Sequence, residues 1–136
     1  MDRSPPPRDD VLRITHVSVR PAMQAAERRA WTVIDALAAR GHACRLVGRR
    51  GSVLAERARD AGLPLVEVRR LGRRPSDLRR LRRSLGADAC DLVHLHGADA
   101  VLTAAVATAG CPRVPWIGGC RSSSASRRSI SPRSTA

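Results

Sequence analysis

Two rhythms of apolar and polar positions take turns along this chain. In residues 11–19, Leu12, Ile14, Val17 and Val19 are interleaved with polar positions, and a period near two predicts a first strand. Pro21 then punctuates a turn. In residues 22–40, Met23, Ala26, Ala30, Val33, Ile34, Leu37 and Ala38 recur at steps of three and four. That spacing predicts a helix with one apolar face, from which Glu27, Arg28 and Arg29 project away. Gly41 suits the left-handed position just past the helix. The next residue, His42, is expected to meet the last helical carbonyls.

The same alternation then repeats. Residues 43–47 predict a strand, Ser52 caps a short helix over 53–61, and Gly62 closes it. Residues 65–68 predict a third strand. Ser76 is expected to cap a helix that turns Leu78, Leu81 and Leu85 inward and Arg79, Arg80, Arg82 and Arg83 outward. Residues 92–95 form a fourth strand, residues 98–108 a small-residue helix ended by Gly110 and Pro112, and residues 114–117 a fifth strand. Strand and helix segments in strict alternation predict the α/β class. A Rossmann-like parallel sheet is expected, with flanking helices and right-handed crossovers.

Length and composition set the limits. The 136 residues suffice for about one domain, which buries roughly two thirds of the surface its unfolded chain exposes. That domain is assigned to residues 11–117. Residues 1–10 carry prolines and charges, and residues 118–136 are rich in serine and arginine without any acidic residue. Both are expected to be disordered, because neither carries enough apolar surface to offset the entropy of ordering.

The formal charge of +13 comes entirely from arginine, with no lysine, and the aromatic residues are limited to Trp31 and Trp116. A solvated basic surface fits this better than a nucleic-acid platform, so no specific nucleic acid is expected as partner. The outward arginines Arg79, Arg80, Arg82 and Arg83 are a candidate for peripheral contact with an anionic membrane. Cys44, Cys90, Cys111 and Cys120 lack paired metal-ligand spacing and are expected as reduced thiols. No metal and no cofactor are expected. Without an apolar leader or a stretch long enough to span a bilayer, a cytoplasmic location is expected.

Candidate chemistry concentrates in Asp91-Leu92-Val93-His94-Leu95-His96-Gly97, an apolar strand ending in imidazoles and a glycine. Open α/β sheets bind ligands at the carboxyl ends of their strands. His94 and His96 alternate with Val93 and Leu95 and so point to one side. His96, nearer the end, is the first candidate for a cleft, with Gly97 beside it. His94 is expected as a packed, hydrogen-bonded histidine. His16, near the end of the first strand, is a further candidate. Glu27 is suited either to orienting an acceptor hydroxyl or to placing charge near a helix N-terminus. No nucleophile elbow, phosphate-binding GxxxxGK pattern or dinucleotide fingerprint is present.

Taken in order, several segments resemble the amino-terminal domain of family 4 glycosyltransferases. They are Ile14-Thr15-His16-Val17, Ala26-Glu27-Arg28, Leu37-Ala38-Ala39-Arg40-Gly41-His42, Ser52-Val53-Leu54-Ala55, Ala61-Gly62-Leu63-Pro64 and Asp91 through Gly97. The resemblance covers residues 12–117. It implies a GT-B enzyme in which two Rossmann-like domains face each other across a cleft. The amino-terminal domain receives the acceptor, and the other grips a nucleotide-sugar through basic residues and paired glutamates. Transfer in such enzymes requires no bound metal, since positive charge and helix N-termini stabilise the departing diphosphate.

Only the acceptor-side domain is matched, and incompletely, so the chain is expected to be inactive alone. Two departures bear on mechanism. Gln24 and Ala25 stand where relatives have paired glycines, and Gly118-Gly119 follow the fifth strand where relatives tend to have a histidine. The competing readings are a non-catalytic sugar- or anionic-lipid-binding module and a nonfunctional fragment. The abrupt change of composition around residues 116–119 is expected to mark a frameshift or truncation. A sheet left incomplete in this way exposes an edge and folds marginally.

Overall fold

A computed structural model describes residues 11–69, 75–111 and 114–119. The expectations for residues 1–10, for Pro112 and for the tail from Cys120 onward lie outside the described residues. In chain order the elements are β1 (Arg13–Ser18), α1 (Ala25–Ala39), β2 (Ala43–Arg49), α2 (Val53–Asp60), β3 (Leu65–Val68), α3 (Pro75–Ser84), β4 (Leu92–His96), α4 (Ala98–Ala107) and β5 (Trp116–Gly119). All paired strands run parallel, in the order β3-β2-β1-β4-β5. The Rossmann-like α/β arrangement is therefore present.

Strand register sorts side chains onto two faces. Ile14 pairs with Cys44 and Leu92, and His16 with Leu46 and His94. Ile34 of α1 and Leu54 and Ala58 of α2 pack with Cys44 and Leu46 on this face. On the other face, Val17, Val47, Val93 and Leu95 pack with Leu81 and Leu85 and with Ala100 and Ala104 of α4. Both faces are thus covered, as a parallel sheet requires.

Local chemistry fixes the helix starts, with several departures from the sequence pattern. Ser52 accepts the Ala55 N–H at 3.2 Å and caps α2 as expected. Ser76, by contrast, lies inside α3, which begins at Pro75. Proline suits a first helical position because its φ is already helical and its missing N–H has no intrahelical partner to lose. Glu27 does not project into solvent. It is fully buried, and its Oε2 accepts the Gln24 N–H at 3.0 Å, so its carboxylate caps its own helix.

His42 meets the end of α1 through its backbone, whose N–H donates to the Leu37 carbonyl at 3.2 Å. Its imidazole instead accepts the Leu12 N–H at 3.2 Å. Arg80 and Arg82 are also not simply solvated. The first donates to the Glu67 carbonyl at 3.1 Å and the second to the Cys111 Sγ at 2.7 Å. Gly118 and Gly119 belong to β5 and not to the tail.

Apolar surface remains open on one side. β5 lies at the end of the strand order, Ile117 on it is 53% exposed, and Leu102 and Val106 of α4 are 62% and 55% exposed. Leu46, by contrast, is fully buried beneath α1 and α2. Leu46→Ala is expected to cost about 2–5 kcal/mol in urea-induced unfolding, whereas Arg28→Ala, on the exposed face of α1, is expected to change stability by no more than about 0.5 kcal/mol.

Candidate functional site

The sheet changes winding direction between β1 and β4. From β1 the chain proceeds outward to β2 and β3, and then returns to lay β4 and β5 on the other side. The helices after β1 and after β4 consequently diverge to opposite faces, opening a crevice at the strands' carboxyl ends. The β1–β4 register places His16 directly beside His94, with His96 one step nearer the crevice on the same face.

The three imidazoles form one cluster. His16 Nδ1 and His96 Nε2 are 3.2 Å apart, a hydrogen bond in which either ring can donate according to tautomer. Ring centroids are separated by 5.3 Å for His16 and His94, 5.5 Å for His16 and His96, and 4.1 Å for His94 and His96. His16 is fully buried, His96 is 9% exposed and His94 is half-buried. Among the described residues, His16 Nε2 has no hydrogen-bond partner.

Burial governs their protonation. It pushes His16 down to about 4, with a further contribution from the nearby His94. It pushes His96 down to about 3, aided by His94 and then His16. His94 is also lowered by burial. All three rings are therefore neutral near pH 7, able to donate at one nitrogen and accept at the other. So weakly basic an imidazole is poorly matched to general-base work at neutral pH. Hydrogen bonding to a hydroxyl suits it better.

A cavity of about 160 Å³ opens against this cluster. Its walls include Ala26, Arg29 and Val33 from α1 and His94, His96 and Gly97 from the β4–α4 junction. Gly97 adopts φ +91°, a backbone conformation that side chains strain, and it leads into α4 without a side-chain cap. The free N–H groups of that first turn carry the positive end of the helix dipole. Arg20 ties the loop after β1 to this turn, with its Nε 3.5 Å from Asp99 and another guanidinium nitrogen 3.1 Å from Gln24 Oε1.

Of the five residues singled out from sequence, His94, His96 and Gly97 line the cavity. His16 stands behind them, bonded to His96. Glu27 is occupied at the start of α1, where its Oε1 is buried without a partner among the described residues. Arg29 was missed, since the pattern sets it outside the apolar face. Its spacing of three from Ala26 and four from Val33 is the signal that groups them.

The depressed histidines link stability to pH. The unfolded chain, with imidazoles near the ordinary 6.5, binds protons in a window where the folded chain does not. Stability from this source is fully present above pH 6.5 and is lost as pH falls through that value toward 4 and 3. Urea unfolding stepped through this range is expected to give a smaller loss for H16Q/H96Q than for the native sequence. Equal slopes would contradict the assignment.

The sequence profile of Glycosyltransferase Family 4 matches residues 26–134. Among curated proteins none matches significantly. The fold is similar to the crystal structure of a glycosyltransferase from Rickettsia africae ESF-5, with a TM-score of 0.57 and 17% identity over 78% of this chain and 29% of that one. It is also similar to CalG4, the calicheamicin glycosyltransferase, with a TM-score of 0.55 and 16% identity over 80% of this chain and 32% of that one. The chain thus spans about a third or less of those enzymes' lengths. With the family profile matching well over half its residues, the chain belongs to Glycosyltransferase Family 4.

Proposed function

We propose that this chain forms the acceptor-side wall of a sugar-transfer cleft, completed for catalysis by a second domain that binds a nucleotide-sugar. The observation carrying this reading is the cavity bounded by His94, His96, Gly97 and Arg29 at the point where the sheet reverses its winding. His96 and His94 offer neutral donor and acceptor nitrogens to an acceptor hydroxyl, and the start of α4 offers backbone N–H groups. His16 positions His96 through their 3.2 Å contact. Glu27 holds the first turn of α1, from which Arg29 reaches the cavity.

The donor half of the chemistry lies elsewhere. Transfer needs charge stabilisation for a departing nucleoside diphosphate, and the basic residues and paired glutamates associated with the family's second domain are not matched by this chain. Incubated alone with nucleotide-diphosphate sugars and simple glycoside acceptors, the chain is expected to give no transfer product. In an amide NMR titration, a panel of methyl glycosides is expected to shift Gly97, His96 and Arg29. H96A is expected to weaken that response about tenfold, the size of one lost polar contact. Turnover by the chain alone, or shifts clustered away from the cavity, would overturn the reading.

Peripheral contact with an anionic membrane is proposed for the outward face of α3. Arg79, Arg80, Arg82 and Arg83 are all exposed there, although Arg80 and Arg82 already bond to Glu67 and Cys111. No described helix is long and apolar enough to cross a membrane, so any such contact is with the surface. Sedimentation with phosphatidylserine-containing vesicles is expected to exceed that with phosphatidylcholine alone. R79E/R83E is expected to reduce it about tenfold or more, at roughly 1 kcal/mol per arginine removed. Equal binding to both vesicle types would remove the proposal.

A further inference from the structure

We propose that His16, His94 and His96 form a binding site for one transition-metal ion of the zinc class. Each ring offers one nitrogen, and the three nitrogens lie within 4.8 Å of one another. In tetrahedral coordination with metal–nitrogen bonds of about 2.0–2.1 Å, two ligand nitrogens stand about 3.3 Å apart. His16 Nδ1 and His96 Nε2 already sit at 3.2 Å. His94 is the half-buried member and lines the cavity, and closing the set requires its ring to turn toward that pair.

Several features favour an ion there. The ligands project from two strands in fixed register, His16 against His94, so little further ordering is needed to assemble the set. The rings are uncharged near pH 7, and ligation by both nitrogens of the 3.2 Å pair requires only that the proton between them move to the other nitrogen of its ring. An all-imidazole set without a carboxylate selects Zn²⁺, Co²⁺, Ni²⁺ or Cu²⁺ over Mg²⁺ or Ca²⁺. The cavity lies against His94 and His96, so an ion held there would be approached by solvent from that side.

The site does not rest on the sugar-transfer reading, and its test does not use activity. Co²⁺ is added to the full chain, with visible d–d absorption reporting coordination and circular dichroism reporting folding. One equivalent is expected to bind and to raise the thermal midpoint by about 4 °C or more. H94Q and H96Q are expected to abolish the absorption. H42Q, which changes a histidine outside the cluster, and a variant with Cys44, Cys90, Cys111 and Cys120 replaced by serine are expected to retain it.

Should a cluster variant fail to fold, imidazole ¹⁵N spectra of the native chain titrated with Zn²⁺ give the same answer. Shifts are then expected at His16, His94 and His96 with His42 unmoved. Absence of cobalt absorption by the folded native chain, a signal that survives H96Q, one lost with the cysteines, or zinc shifts confined to His42 would each overturn the site.

Discussion

Parallel pairing of β1 with β4 is the contact on which the rest of the structure depends. It joins the segment wound toward β3 to the segment wound toward β5, and it creates both the crevice and the imidazole cluster. At the end of the pair away from the crevice, Arg13 and Asp91 tie the two strands together. The guanidinium bonds both carboxylate oxygens, at 2.9 and 3.4 Å, and reaches the carbonyls of Ala87 and Asp88. The Asp91 N–H also donates to the Arg13 carbonyl at 2.8 Å. This partnership holds the Asp91 carboxyl below its ordinary value. A slip of one residue would turn every side chain of β4 to the other face, carrying His94 and His96 out of the crevice and into the apolar layer under α4.

The cluster is a local departure from the apolar rule that governs the remaining core. Three rings with polar nitrogens occupy positions where Ile14, Cys44 and Leu46 are the neighbours along the same face. Burial keeps the rings neutral, and neutrality makes them useful as paired donors and acceptors toward a hydroxyl or as ligands toward an ion. The same burial ties the stability of the sheet to their protonation. Ser18 Oγ, also buried without a partner among the described residues, belongs to the same face. Asp77 Oδ2 on α3 is likewise buried without a partner among the described residues, so such groups are not confined to this cluster.

The outer side of β5 and α4 shows a complementary pattern. Ile117, Leu102 and Val106 leave more than half of their area open to solvent, whereas Leu95, Ala100 and Ala104 on the inner side of the same layer are buried. The described part is therefore closely packed in both inner layers and carries open apolar area on the outer side of α4 and β5.

The order and type of the elements were legible in sequence because periods of two and near 3.6 are local properties, and glycines such as Gly41 mark the turns between them. The alternation of His94 and His96 on one face was legible for the same reason. The chain's own pattern did not show that His16 touches His96, since the two are brought together only by strand pairing across 80 positions. Glu27 read as exposed because hydropathy treats a carboxylate as a solvent group, yet the unpaired N–H groups of a helix start supply what solvent would. Arg29 entered the cavity wall only when α1 was laid over β4. Sequence thus determined which segments are strands and helices and which side chains share a face, since these depend on neighbours a few residues away. Tertiary structure alone decided the switch point, the imidazole cluster and the cavity, because each is defined by distances between segments far apart in the chain.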